Sequence, residues 1–475
     1  MFPQIVGGKH CAHVSALFLE RKCFDGLDWL TLFAIIPIGL CSFQPLALKE
    51  DRLTFRVVVS DMSAIKVMHF GDVHLGIERY GKLDPETGLN SRIMDFKRAL
   101  LSAIEKALDA RVQLALFAGD AYKSRDPSQT HQREFASCIR GLTDAGVKVV
   151  MVTGNHDLPS ARGRANAIEI YRTLGVENVI VISKPEVVLV ETQAGPIQVA
   201  GMPYLVKSNV LSRDELRNRT IQEVTDLMVQ KYTQYIAYLA SQLKPDIPSV
   251  LLGHFWIKNA KVTGETGYLN VAEPEILVSE VANPAFDYVA MGHIHKYQDL
   301  NDGKRPPVVY CGSIERIDFS ERNDDKGFVL VDLEKGNVKY EFISVPTRPF
   351  VEIDIDADTE DPTTRIVEEI MARPIDNAVV KVTYHIPGNK VPLLREKEIR
   401  EALSRAFLVV AVNRDVIRDS SNVRNRLLTE SLDVTQALEM YFDGNEEYRK
   451  RKSELMDYAR PLIEEMLAEE RIENT

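Results

Sequence analysis

From Ile65 onward the chain alternates short apolar runs with longer stretches in which apolar residues recur every three or four positions. Segments 65–70, 113–118 and 147–153 are short and rich in Val, Ile and Leu, which predicts strands. Segments 91–110 and 129–145 between them carry helical spacing and polar faces. This is a βαβαβ pattern, for which a parallel sheet is expected. Strand-like segments then crowd together at 179–182, 187–191, 197–201, 250–253, 288–291, 308–311, 328–332 and 338–345. The expected fold class is α/β, with two stacked sheets flanked by helices.

After Pro346, Thr347, Arg348 and Pro349 the pattern restarts. An acidic stretch at 352–361, a helix near 364–372, a strand at 378–384 and a helix near 395–407 predict a small α+β domain over 347–430. A last unit, 431–475, is expected to be helical at 434–442 and 446–470, joined by a glycine turn at Asp443, Gly444 and Asn445. Val434, Ala437, Leu438 and Tyr441 form one apolar stripe, and Leu455, Tyr458, Leu462, Ile463 and Leu467 a second. Such stripes pack on each other, on the preceding domain or on a partner.

Residues 1–61 read differently. Their apolar run at 30–43 is interrupted by Pro37 and Gly39 and is too short to span a bilayer. Asp25 and Asp28 separate it from Arg21 and Lys22, where a signal peptide has no negative charge. The expectation is an extension, non-native or disordered, with Met62 as the natural start of the 62–346 domain; a membrane-associating segment is the alternative.

The length of 475 residues suits about three compact units. With 45% apolar and 27% charged residues the composition is that of a soluble globular chain. Lys and Arg number 58 against 69 for Asp and Glu, a net charge of −11, which argues against nucleic-acid binding through overall charge but leaves room for a local basic rim or a cation-holding cleft. Five scattered cysteines argue against a disulfide scaffold and for a reducing compartment, so a cytoplasmic location is expected and no membrane partner.

Candidate chemistry sits where strands end. Asp72-Val73-His74 follows the first strand, Gly119-Asp120 the second and Gly154-Asn155-His156-Asp157 the third; Gly253-His254 and Gly292-His293-Ile294-His295 follow later ones. Strand carboxyl ends of an open α/β sheet converge on one crevice. An Asp after a strand serves equally as a cap or turn residue, and a single Gly-His pair as a partly buried side chain. Five such motifs in order, offering two Asp, one Asn and four His, point instead to a dinuclear centre of manganese, iron or zinc, with Asp120 the natural bridge.

At these residues the chain resembles the calcineurin-like metallophosphoesterase superfamily, whose signature runs D-x-H, G-D, G-N-H-D/E, G-H, G-H-x-H. The run from His69 to Gly76, the run from Phe286 to Lys296, and Tyr310-Cys311-Gly312-Ser313 followed by Lys326-Gly327-Phe328 are similar to the SbcD nuclease family. The resemblance implies that Asp72, His74, Asp120 and His295 hold one ion and Asp120, Asn155, His254 and His293 the other, most often Mn2+. It implies that His156 stands beside the scissile phosphate, as charge stabiliser or proton donor, with Asp157 orienting its ring. Related nucleases carry a second histidine shortly after G-D; here Lys123 stands nearby, as a phosphate contact or a solvated lysine. Arg79, Tyr80, Lys82 and Arg92 after the first ligand pair, and Arg162 and Arg164 after G-N-H-D, are candidate DNA contacts on the rim, with base stacking on Tyr80 as an option. Lys296, Arg305 and Arg316 are further candidates.

The function implied is that of a metal-dependent DNA exonuclease and endonuclease, the nuclease subunit of an SbcC/SbcD-like repair complex acting at DNA ends and hairpins. Its partners would be DNA, an SMC-type ATPase docking on the C-terminal helices, and a second copy in a homodimer; the 347–430 domain would cap the site. The alternative is a two-metal phosphoesterase for a small substrate such as a cyclic nucleotide.

Overall fold

The computed structural model describes residues 16–20, 41–49, 52–59, 64–159, 164–262, 273–417, 434–444 and 446–473. The chain divides into two compact units, Met1–Val351 with Asn377–Val379, and Glu352–Asp376 with Val380–Thr475.

Three strands precede the motif-bearing region: β1 (Ala16–Glu20), β2 (Cys41–Lys49) and β3 (Arg52–Val59), in the antiparallel order β1-β3-β2. These strands fall within the 1–61 stretch expected to be a non-native or disordered extension. Its β-branched and aromatic residues, such as Phe55, Val57, Val58 and Val59, favour a pleated ladder. The register slips between Pro45 and Ala47, where proline has no N–H to give. Most of the 30–43 run lies outside the described residues, in which no helix is long and apolar enough to cross a membrane.

The first large sheet begins with parallel strands β4 (Ile65–Phe70), β5 (Leu114–Phe117), β6 (Lys148–Val152) and β7 (Val179–Ile182). The second comprises β8 (Glu186–Thr192), β9 (Gly195–Met202), β10 (Ser249–His254), β11 (Tyr288–Gly292), β12 (Gln298–Asp299) and β13 (Val308–Tyr310), in the order β12-β13-β11-β10-β9-β8. In it β9, β10, β11 and β13 run parallel. β14 (Gly327–Glu334) returns antiparallel on β4, and β15 (Asn337–Ser344) completes the first sheet as β15-β14-β4-β5-β6-β7.

Period-two alternation sorts the side chains into layers. Val67, Leu114, Leu116 and Val150 of the first sheet meet Val199, Val250, Leu252 and Ala290 of the second in one apolar layer. Met68, Phe70, Phe117 and Met151 face the other way, against Phe96, Leu100, Phe135 and Ile139 from helices Ser91–Asp109 and Gln129–Asp144. The second sheet's outer face is covered by helix Ile221–Ser241, through Met228, Tyr232, Ile236 and Leu239. Sequence spacing did not mark that helix; a capping box of Thr220 and Glu223 starts it.

The second unit contains most of a three-stranded sheet, β16 (Phe350–Asp356), β17 (Val379–Pro387) and β18 (Leu408–Ile417), in the order β16-β17-β18. Ile353 and Ile355 alternate with Glu352, Asp354 and Asp356, so the start of the acidic stretch is a half-buried strand. Helix Pro362–Met371 is capped by Asp361. Helix Glu396–Ala402 is shorter than expected, passing through a tight turn at Leu403–Arg405 into β18, which sequence reading missed. Helices follow at Val434–Gly444, Glu446–Arg449 and Lys452–Glu473; the first runs through Gly444 rather than turning there. Met456 and Ile463 are buried, whereas Tyr441, Tyr458 and Leu462 are 48%, 75% and 66% exposed.

Candidate metal centre

The carboxyl ends of β4, β5 and β6 in one sheet and of β10 and β11 in the other deliver all five motifs to one edge. The ladder pairs His254 with Gly292, which sets His293 next to it. Asp72, His74, Asp120 and His293 have positive φ values of 48°, 47°, 60° and 97°. Such conformations cost roughly 1–3 kcal/mol each in a residue with a side chain and persist where surrounding structure imposes them. Here Asp72 N–H donates to Gly119 O at 2.9 Å and His74 N–H to Asp120 O at 3.0 Å. Gly154 is required for closeness: a Cβ there would collide with the Asp120 carboxylate.

The donor atoms converge. His74 Nε2 lies 3.1 Å from His295 Nε2, 3.6 Å from Asp120 Oδ2 and 3.9 Å from Asp72 Oδ1. His254 Nε2 lies 3.3 Å from Asp120 Oδ2 and 3.0 Å from Asn155 Oδ1, and His293 Nδ1 lies 3.2 Å from the same amide oxygen. Asp72 also accepts from the backbone N–H of His293 at 2.9 Å. All seven are buried or half-buried.

This donor set fits metal ions. His254 Nδ1 is 2.6 Å from Ala118 O, and a carbonyl only accepts, so Nδ1 carries hydrogen and Nε2 is left to face Asp120 and Asn155. His295 Nδ1 is turned to the Glu321 carboxylate at 3.0 Å, which likewise directs its Nε2 inward. The ion-pair partners of Asp72 and Asp120 among the described residues are histidines. Lone pairs and carboxylates pointed at one another in a buried space call for cations.

The family description Calcineurin-like phosphoesterase matches residues 65–297. The chain is 28% identical to the DNA double-strand break repair protein Mre11 of Haloferax volcanii over 357 residues, 74% of this chain and 69% of the relative. It is 25% identical to the SbcD subunit of the SbcCD nuclease of Staphylococcus epidermidis over 300 residues, 62% and 74% of the two. A solved dimetal phosphatase from Danio rerio is similar at TM-score 0.36 and 12% identity, over 59% of this chain and 96% of that one. Residues 65–297 are a calcineurin-like phosphoesterase domain, in a chain similar to Mre11 and SbcD. The expected fold and a hydrolase acting on phosphodiester bonds are met.

Electrostatics in this phosphoesterase favour positive charge at the centre. Burial opposes a charged ring on His254, yet Asp120, helped by Asp72, outweighs it and pushes the ring up to about 9, so a proton competes for the Nε2 lone pair that would otherwise meet a cation. The same contact holds Asp120 well below the usual carboxylate range despite its burial. Burial raises Asp72 and keeps His74 neutral, far below its ordinary value. His69, in the same motif, is no donor to the centre: it faces the space between the sheets, bonds Tyr288 Oη at 3.0 Å and is pushed down to about 3 by burial.

Two roles expected of the phosphoesterase loops are corrected. Asp157 does not orient His156; it accepts from the backbone N–H groups of Asp120, Ala121 and Gly154 at 2.8, 2.9 and 2.9 Å, clamping two motif turns together. The His156 ring is oriented by Lys123 O, 2.8 Å from Nδ1. Arg92 is no rim residue: it is fully buried, paired with Asp95 at 3.1 Å and bonded to Arg316 O. Its place on the inner face of helix Ser91–Asp109 explains this.

The other rim candidates divide. Arg79 and Lys82 are exposed, as is Arg164, while Lys123 is half-buried beside the G-D motif. Tyr80 is engaged by the protein itself, with Arg79 4.7 Å over its ring and Phe319 and Phe350 in T-shaped contact at 5.4 and 5.5 Å. Arg162 lies outside the described residues. Lys296 pairs with Asp324, Arg305 with Gly336 O, and Arg316 with Thr347 and Asp324 O. Sequence reasoning missed Glu321, Ala118 O and Glu273, the last 3.0 Å from His293 Nε2; none stands in a strand-end motif.

Proposed function

We propose that this phosphoesterase is the nuclease subunit of an SbcCD-like repair complex, a metal-dependent exonuclease and endonuclease acting at DNA ends and hairpins. The convergence of Asp72, His74, Asp120, Asn155, His254, His293 and His295 on one edge supports this reading, in a chain whose relatives are named a double-strand break repair protein and a nuclease subunit. Asp72, His74, Asp120 and His295 hold one divalent ion, and Asp120, Asn155, His254 and His293 the other, with Mn2+ the preferred metal. Bound there, the ions supply Lewis acidity to phosphate oxygens and acidify water.

The chain's own groups do the rest. A ring nitrogen of His156 lies within 4.8 Å of donor atoms of His74 and Asp120, while Nδ1 is held by Lys123 O. Its Nε2 is thereby placed to bond a phosphate oxygen and to pass a proton to the leaving oxygen. Arg79, Lys82, Lys123 and Arg164 contact the DNA backbone. Residues 347–430 are the capping domain of this reading, and a second copy completes a homodimer. The C-terminal helices, with Tyr441, Tyr458 and Leu462 exposed, dock on an SMC-type ATPase through an apolar face. The proposed site of action is the cytoplasm, a reducing compartment in keeping with the five scattered cysteines.

The test is digestion of labelled linear, hairpin and circular DNA with Mn2+, with cyclic nucleotides as competitors. Degradation of linear and hairpin DNA, unaffected by cyclic nucleotides, is expected. Intact DNA alongside hydrolysed cyclic nucleotide would replace this reading with the small-substrate one.

A further inference from the structure

The motif that ends in Lys326-Gly327-Phe328 contributes no ligand, yet its lysine is fully buried. Lys326 Nζ lies 2.8 Å from Glu321 Oε2, 2.8 Å from Ser313 Oγ and 3.1 Å from His295 O. These three partners use all the hydrogens of the ammonium. Glu321, equally buried, receives Lys326 and the Ile317 N–H (3.0 Å) on Oε2, and turns Oε1 to His295 Nδ1 at 3.0 Å. The carboxylate therefore cannot swing away from the imidazole.

A buried ion pair is weak evidence for stability, since apolar replacements of similar volume often do as well. Its position behind a metal-facing histidine suggests another use. We propose that Glu321 is a positioning residue: held by Lys326 and the Ile317 N–H, it fixes the Nδ1–H tautomer of His295 and raises the basicity of Nε2 toward its metal ion. Among the described residues, the other position's His254 is backed by the neutral Ala118 carbonyl and its His293 by a separate carboxylate, Glu273, so loss of the Glu321 charge weakens one ion position selectively.

The inference rests on the two-ion reading, and calorimetric titration of the unsubstituted protein with Mn2+ tests that first: fewer than two binding events would sink the reading itself. In Glu321→Gln, which keeps an acceptor but removes the charge, one ion should bind roughly 10–100-fold more weakly and the other as before. Low-temperature EPR should then lose the spin-coupled Mn2+ pair at concentrations that fill both positions in the unsubstituted protein. The double variant Glu321→Gln with Lys326→Met, which strands no buried ammonium, should behave alike. Wild-type affinity for both ions in either folded variant, or equal loss of both, would overturn the role. With Zn2+ bound to the unsubstituted protein, long-range 1H–15N spectra should show His295 protonated at Nδ1; hydrogen on Nε2 would overturn it without any variant.

Discussion

Asp95 and the pair Asp72 and Asp120 are equally buried, and their surroundings differ in kind. Asp95 meets three arginines: Arg348 in a fork at 2.7 and 2.7 Å, Arg92 at 3.1 Å and Arg98 at 3.0 Å. Asp72 and Asp120 meet imidazoles and backbone N–H groups, on strained backbone. A carboxylate supplied with its own guanidinium groups is electrostatically complete and serves the fold. Carboxylates surrounded by inward-turned imidazole nitrogens are complete only with an added cation, and serve chemistry.

The sharpest way to break this contrast is Asp120→Asn. Removing the charge that both ion positions share should abolish metal content, by elemental analysis, and bring hydrolysis to background, while circular dichroism and melting stay near those of the unsubstituted protein. Full metal content in the variant would end the assignment of Asp120 as bridge. His156→Ala comes next. Its ring is held by a carbonyl and lies beside the donors, so metal content should persist while turnover falls roughly 10²–10⁴-fold, the usual range for a positioned acid. Loss of metal would make His156 a ligand, and an unchanged rate would remove it from the chemistry.

The same contrast explains what sequence reading reached. The strands and their five terminal motifs are local: an apolar run and the polar residues after it are contiguous, and parallel strands bring such ends together. Glu321, Glu273 and Ala118 O act across long separations and have no pattern of their own; Glu321 stands 26 positions from the histidine it orients. Arg92 read as basic rim because charge in a sequence carries no sign of burial, and only the inward face of its helix, against Asp95, shows otherwise. Helix Ile221–Ser241 escaped because the exposed Ile221 and Tyr238 blur its apolar stripe. β18 escaped because Leu408–Ile417 follows a helical segment with only a three-residue turn between.

On the other side of the comparison, Asp95→Ala should leave Arg92 and Arg348 as buried cations without their acid. Breaking a buried pair in this way costs roughly 3–5 kcal/mol, read by chemical denaturation. Metal stoichiometry and turnover per folded molecule should stay unchanged, because Asp95 touches none of the donors. A loss below about 1 kcal/mol, the scale of a surface pair, would show that this cluster is not closed as described.

The smallest effect belongs to charges that are neither buried nor metal-facing. On the β16-β17-β18 sheet, His385 lies 2.9 Å from Asp415 and 3.0 Å from Asp354, with side chains 34%, 64% and 72% exposed. The bond to Asp415, with Asp354 adding to it, raises the ring above its ordinary 6.5. The folded state thus favours the imidazolium. Its contribution is fully present below pH 6.5 and is lost as pH rises through the higher folded value. Exposure and salt keep it slight. An NMR titration should place the His385 midpoint above 6.5 in the unsubstituted protein and lower it in Asp415→Asn, with metal binding the same in both. A midpoint at or below 6.5 in the unsubstituted protein would show that these exposed carboxylates act on the ring no more than solvent does.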